Sequence, residues 1–314
     1  MSQVDVICIG NSAVDVPLCF IDESILTTDS FPINRIVPMV GGSGSNVSTI
    51  LTHLGTQVKL ITMLGKDMLG DYLAEHCAQT GIDTGSIIRN GNVDTPLSIG
   101  LVRKDGERNF IVSRSSSTFH FSVNDIDLVN IKDARLLHFA SIFIMPRFDG
   151  NGLVRLFGRA KEAGMIVSAD MMKSRTGERL VAIEKSLAYV DYFFANFEEA
   201  SFLTGLSEKK EICERLLQCG IQHVIIKEGK NGCYIQDAVT EMHCPAFPNV
   251  DVVDTIGAGD NFAAGFITGI LDGLSLSECA RFANATASIS VGSLGATTGV
   301  KNKQQVLELL KQNM

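Results

Sequence analysis

The sequence contains no apolar run approaching the ~20 residues that a membrane-crossing helix needs. It also does not open on a basic segment. The first apolar stretch, MSQVDVICIG, carries Asp5 inside it and reads as a first strand, not as a signal peptide. Positive charge is scarce: 27 Lys and Arg stand against 35 Asp and Glu, a formal net charge of −8. Such a surface repels phosphate backbones, which argues against nucleic acid as a partner while leaving room for an anion in a locally positive pocket. The eight cysteines include no CxxC pair, and Cys8 and Cys233 lie in apolar strand-like runs. They are expected to be reduced core residues and not a disulfide framework. The six histidines show no HExxH or other metal-ligand spacing, which argues against a structural zinc site. No low-complexity segment, repeat or linker interrupts the chain. The expectation is a cytoplasmic protein with no membrane partner.

What is present is an alternation of short apolar runs and amphipathic stretches. Val4–Ile9, Val58–Met63, Leu136–Ala140, Met165–Ala169, Tyr192–Ala195 and His223–Lys227 suit buried strands. Asn46–Leu54, Gly70–Gln79, Asn151–Ala163, Glu198–Leu203 and Glu211–Gln218 suit helices, as do two longer stretches between Gly257 and Val291. The alternation predicts an α/β fold, a mostly parallel central sheet with helices on both faces, in one domain over residues 1–314. Residues Val16–Val40 and Leu97–Val112 break the rhythm. The second is two strand-like runs around Lys104-Asp105-Gly106-Glu107, and Asp-Gly is a hairpin signal. A small β appendage from about 16–40 and 97–112 is expected, against the plainer reading of two surface loops.

Three segments carry chemistry. Asp254-Thr255-Ile256-Gly257-Ala258-Gly259-Asp260 lies between a strand-like run, Val250–Val253, and an amphipathic helix. Gly257 and Gly259 permit close approach of a ligand to the backbone, and a helix start directs free N–H groups at an anion. Asp260 in the first turn would repel a phosphate as a binding element, yet it suits a general base that deprotonates an attacking hydroxyl. An Asp-bearing, Gly-rich helix start is the equally balanced structural reading. Gly41-Gly42-Ser43-Gly44-Ser45-Asn46 opens the first helix and meets neither the dinucleotide fingerprint nor the P-loop pattern. Asp15 ends Gly10-Asn11-Ser12-Ala13-Val14-Asp15 after the first strand, where ligands of parallel sheets bind; it could equally cap a turn.

Together DTIGAGD, GGSGSN and GNSAVD resemble the signatures of the ribokinase-like carbohydrate kinases, the PfkB family, over essentially the whole chain, with DTIGAGD the most specific. Within that family the chain is most similar to bacterial sugar kinases of unassigned substrate. The resemblance implies an ATP-dependent phosphotransferase acting on a hydroxyl of a sugar or sugar derivative. The alternatives are a non-catalytic sugar- or nucleotide-binding regulatory protein on the same fold, and a nucleoside kinase. It makes Asp260 the base, with Gly257, Ala258 and Gly259 as the anion hole, and gives Asp15, Gly42 and Asn46 to substrate hydroxyls. Asn196-Phe197-Glu198-Glu199 resembles the family's NxxE element, placing Asn196 at the nucleotide and Glu199 near Mg2+ through water; a helix cap with its glutamate three residues on fits the same residues.

Lys227-Glu228-Gly229-Lys230-Asn231-Gly232 resembles a nucleotide-contacting turn that more often begins Thr-Leu-Gly, so Lys227, Gly229 and Gly232 are assigned to the nucleotide. Asn284 resembles a residue facing the adenine, with an ordinary buried amide as the plainer reading. Asp254, Ile256, Ser290, Ser293 and Gly295 correspond to a monovalent cation site, K+ in kind, although Gly299 stands where ribokinase has a serine. The β appendage resembles a lid whose outer face pairs two copies into a homodimer. Arg103, Arg108 and Arg114 on or beside it are candidates for specificity. Ribokinase contacts its sugar with a glutamate after a central strand; Phe139-Ala140-Ser141-Ile142 offers none, which disfavours ribose and leaves sugar acids, sugar phosphates and nucleosides open.

Overall fold

Strand and helix follow one another in register with the apolar pattern. The computed structural model describes residues 4–103, 108–148, 150–248 and 250–313. Its strands are β1 (Val4–Gly10), β2 (Ala13–Ile21), β3 (Met39–Gly41), β4 (Val58–Ile61), β5 (Met63–Gly65), β6 (Ile88–Asn90), β7 (Leu97–Arg103), β8 (Arg108–Val112), β9 (Ala134–Ile142), β10 (Ile166–Met171), β11 (Tyr192–Asn196), β12 (His223–Lys227), β13 (Cys233–Gln236) and β14 (Glu241–Cys244). Its helices are α1 (Ser43–His53), α2 (Met68–Thr80), α3 (Asn151–Glu162), α4 (Glu184–Leu187), α5 (Phe197–Thr204), α6 (Lys209–Leu217), α7 (Ala258–Leu271), α8 (Leu276–Val291) and α9 (Lys303–Gln312).

Eight strands form the main sheet in the order β14-β13-β12-β11-β10-β9-β1-β4. All pairings from β4 to β12 are parallel, and only β13 and β14 run antiparallel. Both faces are buried. On β1, Ile7 and Ile9 join one core cluster with Phe139, Phe157 and Phe193 beneath α3 and α6, while Val6 and Cys8 join another with Ile50 and Phe282 beneath α1 and α8. Period-two alternation with apolar residues on both sides is why such strands read as unbroken apolar runs. α3 shows the complementary pattern: Leu153, Leu156, Phe157 and Ala160 are fully buried on one stripe. Its Leu and Phe side chains contribute roughly 1.5–3 kcal/mol each by burial.

The two irregular regions form a separate four-stranded sheet, β3-β2-β7-β8, with β2 and β7 parallel. It begins at Ala13, three residues before the expected boundary. The expected Asp-Gly turn at 104–107 lies outside the described residues. One expected strand is absent: Val250–Val253 is irregular. Val252 and Val253 are exposed, and the N–H groups of Val253 and Asp254 both donate to Val291 O, so the run lies against the end of α8 without entering a ladder. α9 and the β13–β14 hairpin go beyond the elements expected from the sequence. Because β1, β10, β11 and β12 are parallel, their carboxyl ends share one edge of the sheet. Asn11, Asp170, Asn196 and Lys227 stand on that edge.

Candidate active site

The edge opens into a cleft of about 530 Å³, roofed by residues of β2, β7 and β8 and floored by the strand ends and the start of α7. That volume suits a small-molecule site. Asp15, Gly42, Asn46, Asn196, Glu199, Lys227, Gly229, Gly257, Gly259 and Asp260 all line it, so residues spread over 246 positions of sequence (from Asp15 to Asp260, counted inclusively) meet at one place.

Each is set there by local backbone chemistry. Gly42 caps α1 at φ 84°, and a Cβ there would lie 2.7 Å from Asn11 O; only glycine fits both the angle and the space. α1 then carries Asn46 one turn inward. Gly257 caps α7 at φ 75°, a Cβ there would collide with Ala296, and no side chain caps the helix. The Ala258 N–H turns back to Thr255 O at 3.3 Å, and Ala258 itself is not among the cleft-lining residues. Asn261 pins the turn from behind, its Nδ2 donating to Gly257 O at 2.8 Å and Ala296 O at 2.7 Å.

Asp260 meets Asn46 across the cleft floor: Asn46 Nδ2 donates to Asp260 Oδ2 at 2.7 Å. Burial pushes the Asp260 carboxyl up to about 6; the Asn46 hydrogen bond opposes this and nearby Asp170 adds to it. Asn46 Oδ1 is buried with no hydrogen-bond partner among the described residues, as is Asn11 Oδ1. Asp15, on β2 beside Ser98, is likewise pushed up to about 6 by burial, against a hydrogen bond from Ser98. Both carboxyls thus sit closer to neutral pH than an exposed aspartate.

On the opposite wall, Asn196 and Glu199 form a reciprocal cap on α5. Asn196 N donates to Glu199 Oε2 and Glu199 N to Asn196 Oδ1, both at 2.8 Å. Both residues also line the cleft, so cap and cleft wall are one structure. Burial pushes Glu199 up to about 7, with Lys227 opposing. Lys227 Nζ is paired with both oxygens of Asp170, at 2.9 and 2.7 Å.

Other expected residues fall elsewhere. Gly232 and Asn284 do not line this cleft. Gly232 shapes the turn after β12 at φ 92°, and Asn284 is buried, its Nδ2 donating to Cys244 O and Pro245 O at 3.1 Å each. Cys244 and Pro245 in turn line a second cavity of about 500 Å³ with Arg281 at its side, so Asn284 stands behind that cavity's wall. Asp254 accepts from Ile256 N and Gly295 N, both at 2.9 Å, and Ser293 N donates to Ser290 O at 3.2 Å; these residues form one knot of loop beside α7. Neither Arg103 nor Arg114 is among the cleft-lining residues, and the Arg108 side chain lies outside what is described. Among the described residues the guanidinium that lines the cleft is that of Arg175. Asp170 and Arg175 were missed in the sequence. Asp170 had a readable signal, a carboxylate at the carboxyl end of an apolar strand, the same signal that singled out Asp15.

A doubly covered parallel sheet with a β lid encloses the cleft, with an uncapped glycine turn at a helix start and a buried carboxylate beside it. The comparisons with known proteins agree. The chain matches the pfkB family carbohydrate kinase pattern over residues 5–303 and belongs to that family, whose members phosphorylate sugars with ATP. It is 28% identical over 287 residues to fructokinase-1 of Zea mays, covering 87% of this chain and 88% of the relative. It is 27% identical over 296 residues to 2-dehydro-3-deoxygluconokinase of Haemophilus influenzae, covering 89% and 94%. Among solved structures, Arabidopsis thaliana ribokinase with ribose and ATP superposes with a TM-score of 0.83 at 22% identity, covering 99% of both chains. An E. coli ribokinase-fold protein solved with ATP and Mg2+ superposes with a TM-score of 0.84 at 22% identity, covering 98% and 99%. Among the described residues no helix is long and apolar enough to cross a membrane.

Proposed function

We propose that this protein transfers the γ-phosphoryl group of ATP to a hydroxyl of a sugar or sugar derivative, with Asp260 as general base. The observation that carries this reading is the meeting of Asp260 with Asn46 beside the uncapped start of α7. Phosphoryl transfer asks for positioning, charge stabilisation and a deprotonated acceptor. The turn Gly257-Ala258-Gly259 supplies the charge stabilisation with its backbone and the helix dipole. Asp260, near pKa 6, takes the acceptor's proton. Asp15, the Gly42 backbone and the free Oδ1 of Asn46 receive sugar hydroxyls. Asn196, Lys227 and Gly229 face the phosphates, while Gly232 and Asn284 act at one remove, by shaping the turn and wall beside them. Glu199 fits Mg2+ held through water, since its carboxylate lines the cleft and its cap leaves one oxygen uncommitted; the metal would neutralise phosphate charge. Asp254, Ile256, Ser290, Ser293 and Gly295 would hold K+, mostly through backbone carbonyls. The lid's β8 edge, with Ile111 exposed, would pair two copies. Ribose is disfavoured, because Ser141 and not a glutamate lines the cleft at the end of β9.

The test is ADP release by the purified chain across neutral sugars, sugar acids, sugar phosphates and nucleosides, with Mg2+ and with or without K+. Acceptor-dependent ADP release from a sugar or sugar derivative supports the reading. A chain that binds ATP and sugars yet turns over none of the panel would instead be the non-catalytic binding protein.

A further inference from the structure

Lys227 occupies a position that has no obvious reason to be lysine. It ends β12, points into a cleft edge already crowded with carboxylates, and is largely buried, its side chain 14% exposed. Asp170 is two strands away on β10, with β11 between, and its side chain is 5% exposed. The lysine side chain crosses that gap to clamp both carboxylate oxygens. The far side of the ammonium faces the glycine turn: a Cβ placed on Gly259 would lie 3.2 Å from Lys227 Nζ. The charge is thus held against the backbone that receives the phosphate.

We propose that Lys227 is a catalytic cation for the transferred phosphoryl group and that Asp170 is the residue that positions it. The proposal rests on the kinase reading above and gives two residues separate parts in it. An ammonium has three donors. Two go to Asp170, and among the described residues nothing else accepts from the third. Glu199 from α5, Asp260 from α7 and Asp170 from β10 all act on Lys227, with neutral His138 from β9 nearby. Burial works against the ammonium, but these carboxylates outweigh it and hold its pKa above the ordinary lysine value. Of the two cations among the described lining residues, Arg175 is exposed, so Lys227 is the one fixed in place. Without it, Asp170, Glu199 and Asp260 would present only negative charge to an incoming triphosphate. During transfer the acceptor oxygen bonds to the γ-phosphorus, the bond from that phosphorus to the bridging oxygen of ADP breaks, and the acceptor proton passes to Asp260. Lys227 donates to an equatorial oxygen of the moving group throughout. Two strands of a rigid sheet fix it beforehand, so no reorganisation is needed at the moment of reaction.

The test compares Lys227→Met, the double variant Asp170→Asn/Lys227→Met, and Asp170→Asn with the unaltered chain. The double variant removes both charges together, which buried pairs tolerate far better than loss of one partner. Loss of Lys227, in either variant, is expected to lower kcat roughly 10²–10³-fold, as removal of one preorganised donor does. Calorimetry should show ATP affinity falling about tenfold while ADP affinity changes by less than about threefold, since the contact is to the group ADP lacks. Asp170→Asn should lower kcat about tenfold with KM for both substrates nearly unchanged, the signature of lost transition-state contact. A folded double variant with near-normal kcat, or with equal loss of ATP and ADP affinity, overturns the role of Lys227. Asp170→Asn with altered melting temperature but unaltered kcat overturns the role of Asp170. If the unaltered chain releases no ADP with any acceptor but Lys227→Met still weakens ATP binding more than ADP binding, the kinase reading fails and the phosphate contact stands. If neither nucleotide binds, both fail.

Discussion

Asn46 and Asp260, 214 residues apart in sequence, share a hydrogen bond of 2.7 Å from Nδ2 to Oδ2. One stands in the first turns of α1 and the other in the first turn of α7, so two glycine-capped helix starts are aimed at each other across the cleft floor. This bond, with a second from the Ser43 hydroxyl, holds the Asp260 carboxylate in place in the cleft wall, where a base is needed. Removing the basicity while keeping the shape, by Asp260→Asn, should reduce kcat roughly 10²–10⁴-fold. Nucleotide affinity should survive or rise slightly, because a negative charge beside the phosphates is gone. Steady-state kinetics and ATP titration check this; near-normal turnover would remove Asp260 from the base role.

The same bond sets a pH dependence. Asn46 stabilises the charged form of Asp260 and holds its carboxyl down toward about 6 against burial. The base must be ionised, so kcat/KM should fall as pH drops through about 6. Asn46→Ala removes the stabilising donor, raises the carboxyl's pKa, and should move the acid limb to higher pH. A pH profile of Asn46→Ala that falls at the same pH as the unaltered chain would show that the hydrogen bond does not tune the base.

Asp260 should also cost stability. Its carboxyl stands near 6 in the folded chain against an ordinary 3.8. Folding therefore favours the protonated form. The penalty for ionisation is absent below pH 3.8, grows between 3.8 and about 6, and is complete above that. Asp260→Asn should accordingly stabilise the fold by about 1–3 kcal/mol at pH 8 and much less at pH 4. Urea unfolding at the two pH values measures the difference; equal effects at both would mean the carboxyl is not perturbed by its site.

The residues that were legible in the sequence are those whose backbone demands a particular type. Gly42 and Gly257 sit at positive φ in closed quarters, and the strand that ends at Asn196 is buried and apolar on both faces. Val250–Val253 misled because a run of β-branched residues fits a strand on composition, and nothing local tells that its neighbour is the end of α8 and not a strand edge. α9 was readable in hindsight from Val306, Leu309 and Leu310 at helical spacing, with Asn302 accepting from Gln305 N. The Lys227–Asp170 pair could not be read at all, since it depends on β11 separating β10 from β12 in the sheet order. The lid arginines are hard to place for the same reason: a hairpin is visible locally, but which of its side chains face the cleft is a property of how one sheet sits over another.

The lid prediction rests on Phe110, which lines the cleft from β8 and is 51% exposed. Phe110→Ser should raise KM for the acceptor about 10–150-fold, in line with the loss of roughly 1.5–3 kcal/mol of apolar burial, while KM for ATP stays nearly constant. Wasteful ATP hydrolysis should increase, because a lid that seals less well admits water. Parallel loss of both affinities in a folded variant would assign Phe110 to the fold and not to closure over the acceptor.

The last prediction separates the two parts of Glu199. As the far partner of a cap it accepts from Asn196 N, and as a cleft carboxylate it faces the phosphates. Glu199→Gln keeps the capping geometry, since Gln serves at that position as Glu does, and it removes the charge. If the charge serves Mg2+ through water, the concentration of Mg2+ needed for half-maximal rate should rise about 10–100-fold, the range seen when an outer partner of a metal is lost, with melting temperature little changed. Glu199→Ala removes both parts and should lower melting temperature as well, by an amount matching the roughly 1 kcal/mol worth of a cap. A Gln variant whose rate depends on Mg2+ as the unaltered chain's does would leave Glu199 as a cap alone, and the metal would then have to be held from elsewhere in the cleft.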